Sequence, residues 1–164
     1  MPKYSVKIPI ERQRFVEGRL DVPEQYAGPQ RTAVIMAHGA ANDMNEPLLC
    51  HLAKGLCRAG YAALRFNFPY RTEGRQRPDS QRVLESAWLE TEKWLRNQKE
   101  FPMERVVLGG KSMGARVVAQ LAGAGRIEAE GFTFWGYPLH PPGRKNQLRD
   151  GHFDHIQNPM LFVT

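Results

Sequence analysis

The sequence predicts an α/β protein with a mostly parallel central sheet flanked by helices on both faces, in three layers. Apolar runs of strand length alternate with segments in which apolar residues recur at helical spacing. This alternation is typical of strand–helix–strand units, whose helices cover both faces of a parallel sheet. The 164 residues suffice for a hydrophobic core, so we treat 1–164 as a single domain.

The elements are predicted in order from these patterns. Residues 4–9 and 15–22 alternate apolar and polar side chains, which predicts an antiparallel hairpin at the sheet edge, followed by a loop over 23–29. Asn45 is the expected N-cap of the first helix, with Pro47 in its first turn. Further strands are predicted at 32–37, 61–68, 106–108, 131–135 and 159–163, helices at about 46–59, 80–97 and 113–122, a long polar loop at 69–78, and one helical turn within 147–156.

Composition and charge exclude several function classes. The N-terminus has no apolar run of signal-peptide length and no stretch could span a membrane, so a cytoplasmic protein is expected. Cys50 and Cys57 share one helical face and are expected in the core, and no Cys/His spacing suggests a metal, so neither metal nor cofactor is predicted. The net charge of +6 includes an arginine cluster at 71–82, interrupted by acids, which we interpret as a solvated loop and not a nucleic-acid interface.

The most informative stretch joins a β-branched run to a helical segment through five residues. Gly110-Lys-Ser-Met-Gly114 fits G-x-S-x-G, the nucleophile elbow, in which a serine occupies a sharp strand-to-helix turn. Glycines are needed on both sides because side chains there would collide with the neighbouring strand and helix. Ser112 is therefore the predicted nucleophile, supported by Gly110 and Gly114.

A phosphate-binding loop is an alternative interpretation of the same residues. Gly110-Lys-Ser112 resembles the end of G-x-x-x-x-G-K-[ST], but that pattern requires glycine where the sequence has Arg105. It also requires a loop before Gly110, where the sequence predicts a strand. We therefore set this alternative aside.

A second loop is expected to complete the site. In α/β sheets ligands gather at the carboxyl ends of the strands, where His38-Gly39-Ala40 follows the first parallel strand. The negative oxygen formed by serine attack needs donors already in place, and the amides of Met113 and Ala40 are the expected pair. Gly39 lets this backbone approach closely. His38 is expected to hold the loop by a hydrogen bond and not to act as the base.

Five ordered motifs give the chain a resemblance to the α/β-hydrolase superfamily, in its dienelactone-hydrolase-like branch. The resemblance covers about residue 30 to the end and is strongest to small bacterial proteins related to NSL-complex regulatory subunit three and testis-expressed protein thirty. The motifs are Val34-Ile-Met-Ala-His-Gly-Ala40, Arg65-Phe-Asn-Phe-Pro-Tyr70, Gly109-Gly-Lys-Ser-Met-Gly-Ala-Arg116, Gly136-Tyr-Pro-Leu-His-Pro-Pro-Gly143 and Pro159-Met-Leu-Phe-Val163.

The resemblance implies a serine hydrolase acting on a small ester-like substrate, with a triad acid after the 159–163 strand and a histidine later still. The sequence ends at Thr164, so both groups are expected beyond it, and the fold is expected to lack its C-terminal strand and helix. The 159–163 strand would then be an exposed apolar edge, which favours a homo-oligomer or a swapped segment. Tyr70 and Tyr137 are expected to line the pocket. The alternative is a catalytically inactive hydrolase-like module used for binding or assembly.

Overall fold

The computed structural model of the protein describes residues 1–24, 26 and 31–164, so most of the loop predicted over 23–29 lies outside the described residues. Seven strands form one sheet in the spatial order β1-β2-β4-β3-β5-β6-β7, and helices pack on both of its faces. The strands are β1 (Lys3–Ile10), β2 (Arg14–Asp21), β3 (Thr32–Ala37), β4 (Ala62–Phe66), β5 (Arg105–Lys111), β6 (Gly131–Trp135) and β7 (Met160–Val163), and the helices are α1 (Pro47–Arg58), α2 (Pro69–Thr72), α3 (Gln81–Arg96) and α4 (Met113–Gly123).

The sheet is antiparallel at one edge and parallel elsewhere. The β1–β2 hairpin turns through Arg12 and Gln13, both at positive φ, and β2 then pairs antiparallel to β4. From β4 through β3, β5 and β6 to β7 every pairing is parallel. The predicted mostly parallel sheet with an antiparallel hairpin at its edge is therefore confirmed.

Each face of the sheet buries its own set of side chains, because successive residues of a strand point to opposite faces. On one face Leu49 and Ala53 of α1 pack against a cluster that includes Met36 of β3. On the other face α3 and α4 cover a larger cluster, in which Trp88 meets Phe66 edge-to-face at 5.0 Å between ring centroids. The three predicted layers are therefore present.

Two local predictions need correction. Glu46, not Asn45, is the N-cap residue of α1, because the chain makes a turn from Asp43 to Glu46 before the helix begins. The Glu46 side chain makes no capping hydrogen bond. The segment predicted as the start of a polar loop forms α2, whose first residue Pro69 is pre-set for a helix start. A third prediction, one helical turn within 147–156, is met by a 3₁₀ turn at Phe153–His155.

The strand β7 is an apolar strand at the edge of the sheet. Among the described residues it pairs with β6 alone, and Leu161, Phe162 and Val163 are 60%, 44% and 44% exposed. Beside α1, on the same side of the sheet, β5, β6 and β7 leave an open apolar groove of about 520 Å³ lined by Val107 and Leu161 among others. No helix among the described residues is long and apolar enough to cross a lipid bilayer.

Candidate active site

Ser112 lies at the sharp junction between β5 and α4. Its backbone has φ +50° and ψ −109°, a region that residues with a side chain seldom adopt and that costs on the order of 1–3 kcal/mol. The conformation is held from both sides, because the Ser112 amide donates to the Trp135 carbonyl of β6 and the Ser112 carbonyl accepts from Arg116 in the first turn of α4. The half-buried serine is thus presented at the carboxyl edge of the sheet.

The two elbow glycines are required by close backbone contacts. A Cβ on Gly110 would lie 2.5 Å from the Ala115 nitrogen, inside α4. A Cβ on Gly114 would lie 2.6 Å from the Ala37 carbonyl oxygen, where β3 ends. Neither contact can be relieved by a side-chain rotation, because the atoms met are backbone atoms. Both positions therefore have the geometry expected of an elbow.

Residues 38–46, which we call the oxyanion loop, pass directly beside the serine. A Cβ on Gly39 would lie 3.6 Å from Ser112 Cβ, so the two backbones approach closely. Within the described part of the chain, neither the Ala40 amide nor the Met113 amide donates a hydrogen bond to the protein. Two unused donors beside a serine match the requirements of an oxyanion hole. The roles of Ala40 and Met113 remain predictions.

His38 is fully buried and holds the oxyanion loop through both ring nitrogens. Nε2 accepts from the Phe68 amide at 3.1 Å, which leaves the proton on Nδ1, 2.7 Å from the Gly39 carbonyl oxygen. Burial lowers the pKa of His38 to about 4, although the Gly39 carbonyl acts in the opposite direction. His38 is therefore neutral at pH 7 and occupied by backbone partners. This geometry fits the expected supporting role.

Further side chains on and near β4 fix the rest of the loop. Asn67 accepts from the Met44 amide at 2.8 Å, and Arg65 donates to the Met44 carbonyl at 2.7 Å while lying 3.6 Å from the buried Asp21 carboxylate. Arg65 and Asn67 belong to one of the five sequence motifs, but the sequence did not indicate that they hold the oxyanion loop. A buried Arg and Asn at the end of a strand signal a polar network that needs partners.

The two tyrosines expected to line a pocket differ in their surroundings. Tyr70 is fully buried, and its hydroxyl donates to the Ala40 carbonyl at 2.8 Å, so it supports the oxyanion loop instead of facing open space. Tyr137 is half-buried after β6, with its hydroxyl 2.8 Å from His152 Nε2. Burial raises the pKa of both phenols to about 12, so neither is a ready base at neutral pH.

No imidazole is hydrogen-bonded to Ser112 within the described residues. The Ser112 hydroxyl makes no hydrogen bond there, and all five histidines of the sequence lie elsewhere. His152 bonds to Tyr137, and its backbone lies against Gly123 at the end of α4. His140 is exposed, and its Nδ1 lies 3.3 Å from the Pro141 carbonyl oxygen. Among the described residues, Ser112 therefore has no histidine within hydrogen-bond reach.

An ion pair that sequence reasoning missed lies next to the serine. Lys111, the residue before Ser112, donates to the carboxylate of Glu46, the residue before α1. Glu46 is buried and Lys111 is partly exposed. A lysine inside G-x-S-x-G was visible in the sequence, but its partner lies 65 residues away and no local pattern connects the two.

The arginine cluster is partly neutralised by acids. Arg75 pairs with Glu73 and Asp79, and Arg71 lies 3.9 Å from Asp43. Among the described residues, no group of three or more His, Cys, Asp or Glu side chains could hold a metal ion.

Comparison with known proteins was made for both sequence and fold. Residues 30–164 match the profile of a family described as an alpha/beta hydrolase domain. Three similar solved structures each align with 99% of this chain. A serine hydrolase of Xanthomonas campestris without a lid has 20% sequence identity and a TM-score of 0.73, and 71% of its chain is covered. A serine hydrolase homologue of Coxiella burnetii has 19% identity, a TM-score of 0.77 and 74% coverage, and a dienelactone hydrolase of Anabaena variabilis has 17% identity, a TM-score of 0.69 and 85% coverage. At these identities the structures show that the fold is shared.

Because the Ser112 backbone is strained, we expect glycine at this position to be more stabilising than alanine. Ser112→Gly should have a free energy of unfolding about 1 kcal/mol higher than Ser112→Ala, because glycine adopts positive φ without steric cost. Chemical denaturation of both variants measures the difference.

Ser86 in α3 supplies the matched control for this comparison. In a helix the order should reverse, with Ser86→Gly about 1 kcal/mol less stable than Ser86→Ala. Equal or lower stability of Ser112→Gly relative to Ser112→Ala would mean that the elbow is unstrained.

The buried neutral His38 predicts acid destabilisation. Its folded pKa of about 4 lies below the value of 6.5 in an unfolded chain, so between these values the unfolded state binds more protons. The contribution of neutral His38 to the free energy of unfolding is fully present above pH 6.5. It falls by about 3 kcal/mol as the pH drops to 4. Urea unfolding at a series of pH values measures this loss.

His38→Gln isolates the contribution of His38 from that of the carboxylates. The variant should be less stable at pH 7 but should lose stability less steeply than the wild type between pH 6.5 and 4. His51→Gln, at an exposed site on α1, is the matched control. Equal slopes for the wild type and His38→Gln would contradict the role given to His38.

Proposed function

Because the chain belongs to the α/β-hydrolase domain family, we propose that it is a serine hydrolase that cleaves ester-type bonds of small molecules, in the manner of dienelactone-hydrolase-like enzymes. The observation that carries the proposal is the strained Ser112 turn beside two unused backbone donors. The solved serine hydrolases and dienelactone hydrolase of the same fold support it.

The proposed reaction proceeds through an acyl-enzyme. The Ser112 hydroxyl oxygen attacks the ester carbonyl carbon while a base takes its proton, and the resulting oxyanion is stabilised by the Ala40 and Met113 amides. The carbon–oxygen bond to the leaving alcohol then breaks, and the alcohol takes the proton from the base. Water attacks the acyl-enzyme by the same route, which releases the acid and restores Ser112.

The base and its orienting acid are proposed to follow residue 164. No imidazole among the described residues reaches Ser112, and His38 is held neutral by two backbone partners. The free edge of β7 and the apolar groove beside α1 offer further strand and helix packing at the correct side of the sheet. A serine without a base is a weak nucleophile, so residues 1–164 alone should have little activity.

Covalent labelling of Ser112 tests this proposal. In the full-length protein that contains residues 1–164, a fluorophosphonate probe should label Ser112 and p-nitrophenyl acetate should be hydrolysed. Ser112→Ala should abolish the labelling and lower turnover by about 10³-fold or more, because the nucleophile is removed.

Ser86→Ala provides a matched serine substitution away from the site and should keep both signals. A folded full-length protein that resists the probe would count decisively against the hydrolase.

We propose a hydrolase-like assembly module as the second candidate. The observations that favour it are the missing base among the described residues and the apolar edge formed by β7. Exposed strand edges of this kind pair with other chains, and a second copy would continue the sheet.

Self-association tests the assembly candidate. Leu161→Lys should reduce the dimer fraction in light scattering, because the charge would be buried at the new interface. Leu148→Lys, at a loop site of similar exposure, should not reduce it. A chain that remains monomeric at its highest soluble concentration contradicts this candidate.

A further inference from the structure

The ion pair between Glu46 and Lys111 connects the two segments that carry the proposed oxyanion donors. Glu46 is the last residue of the oxyanion loop, and Lys111 is the last residue of β5. The Ala40 amide lies in the loop that Glu46 ends, and the Met113 amide lies two residues beyond Lys111. The pair therefore joins the elements whose separation defines the oxyanion hole.

The loop is tied to its other neighbour in a different way. His38, Tyr70 and Asn67 bond it to β4 and the residues after β4. Because β4 and β5 lie on opposite sides of β3, those bonds do not fix the loop relative to the elbow. Within the described residues, the Glu46–Lys111 pair is the only side-chain hydrogen bond or ion pair between residues 38–46 and residues 105–116.

Burial makes the pair hard to replace. The Glu46 side chain is 6% exposed and that of Lys111 is 34% exposed. Lys111 is the sole hydrogen-bond donor found for the Glu46 carboxylate among the described residues, since Oε2 has no partner. A buried carboxylate that loses its ammonium must either be hydrated or move, and both responses displace the end of the loop.

We propose that Glu46 and Lys111 are positioning residues that set the spacing of the Ala40 and Met113 amides. The inference rests on the proposed function of Ser112. Neither side chain touches the reacting atoms. Their effect is on the geometry of the oxyanion hole, which matters most in the transition state, when the negative charge develops.

Steady-state kinetics of Lys111→Met in the full-length protein tests this role. With p-nitrophenyl acetate, kcat should fall roughly 10- to 100-fold, because small misplacements of catalytic donors are costly. KM should remain within about twofold, because binding of the neutral ester does not use the oxyanion. Lys111→Arg keeps a cation for Glu46 and should recover most of kcat.

Two further variants separate positioning from folding. Lys54→Met makes the same substitution at an exposed site of α1 and should keep the wild-type kcat. Glu46→Gln removes the buried charge without changing the side-chain shape and should lower kcat while remaining folded by circular dichroism. An effect on thermal stability alone, with kcat per folded molecule unchanged in Lys111→Met and Glu46→Gln, would overturn the inference.

The labelling experiment distinguishes failure of this inference from failure of the proposed function. A wild-type protein that resists the fluorophosphonate probe overturns both. A labelled wild type in which Lys111→Met reacts at the same rate overturns only the positioning role. A rise in KM with an unchanged kcat also overturns it. So does a Lys111→Arg protein whose kcat is no higher than that of Lys111→Met.

Discussion

The start of α4 packs against the end of β3 with no side chain between them. Gly114 faces the carbonyl groups of Ala37 and His38 so closely that a methyl group would overlap them. The chain leaves β5 through the strained turn at Ser112 and reaches this contact two residues later. The strand pairings and the packing of α4 hold this strained backbone in place. As a result, Ser112 lies at the carboxyl edge of the sheet.

The polar groups around the serine are organised for rigidity and not for proton transfer. His38 is the first residue of the oxyanion loop, yet its two ring nitrogens are already bonded to the backbone of Phe68 and Gly39. Protonation would remove the acceptor that Phe68 uses and would charge a buried ring. The same residue cannot hold the loop and also exchange a proton with Ser112. The residues that hold the oxyanion loop are therefore different from any group that would activate Ser112. The described residues hold the loop.

Patterns that depend on local geometry were predictable from the sequence. The continuous apolar runs identified the parallel strands. The Gly110–Gly114 spacing located the tight strand-to-helix turn at Ser112, because only glycine fits between closely packed backbones. Polar contacts between distant segments were not predictable. Tyr70 was expected beside a pocket because it follows a strand, but its hydroxyl meets the Ala40 carbonyl thirty residues away. The Glu46–Lys111 pair escaped notice for the same reason.

The sheet geometry limits what an activating acid could do in the proposed hydrolase. The carboxyl ends of β5, β6 and β7 lie at one edge of the sheet, with β6 between the other two. Neighbouring strands are about 4.8 Å apart, so a carboxylate just after β7 would lie roughly 10 Å from the elbow. Such a group is too far from Ser112 to accept its proton directly. It could act only through an imidazole placed between them, which is why the proposed mechanism needs a histidine as well as an acid and why neither would suffice alone.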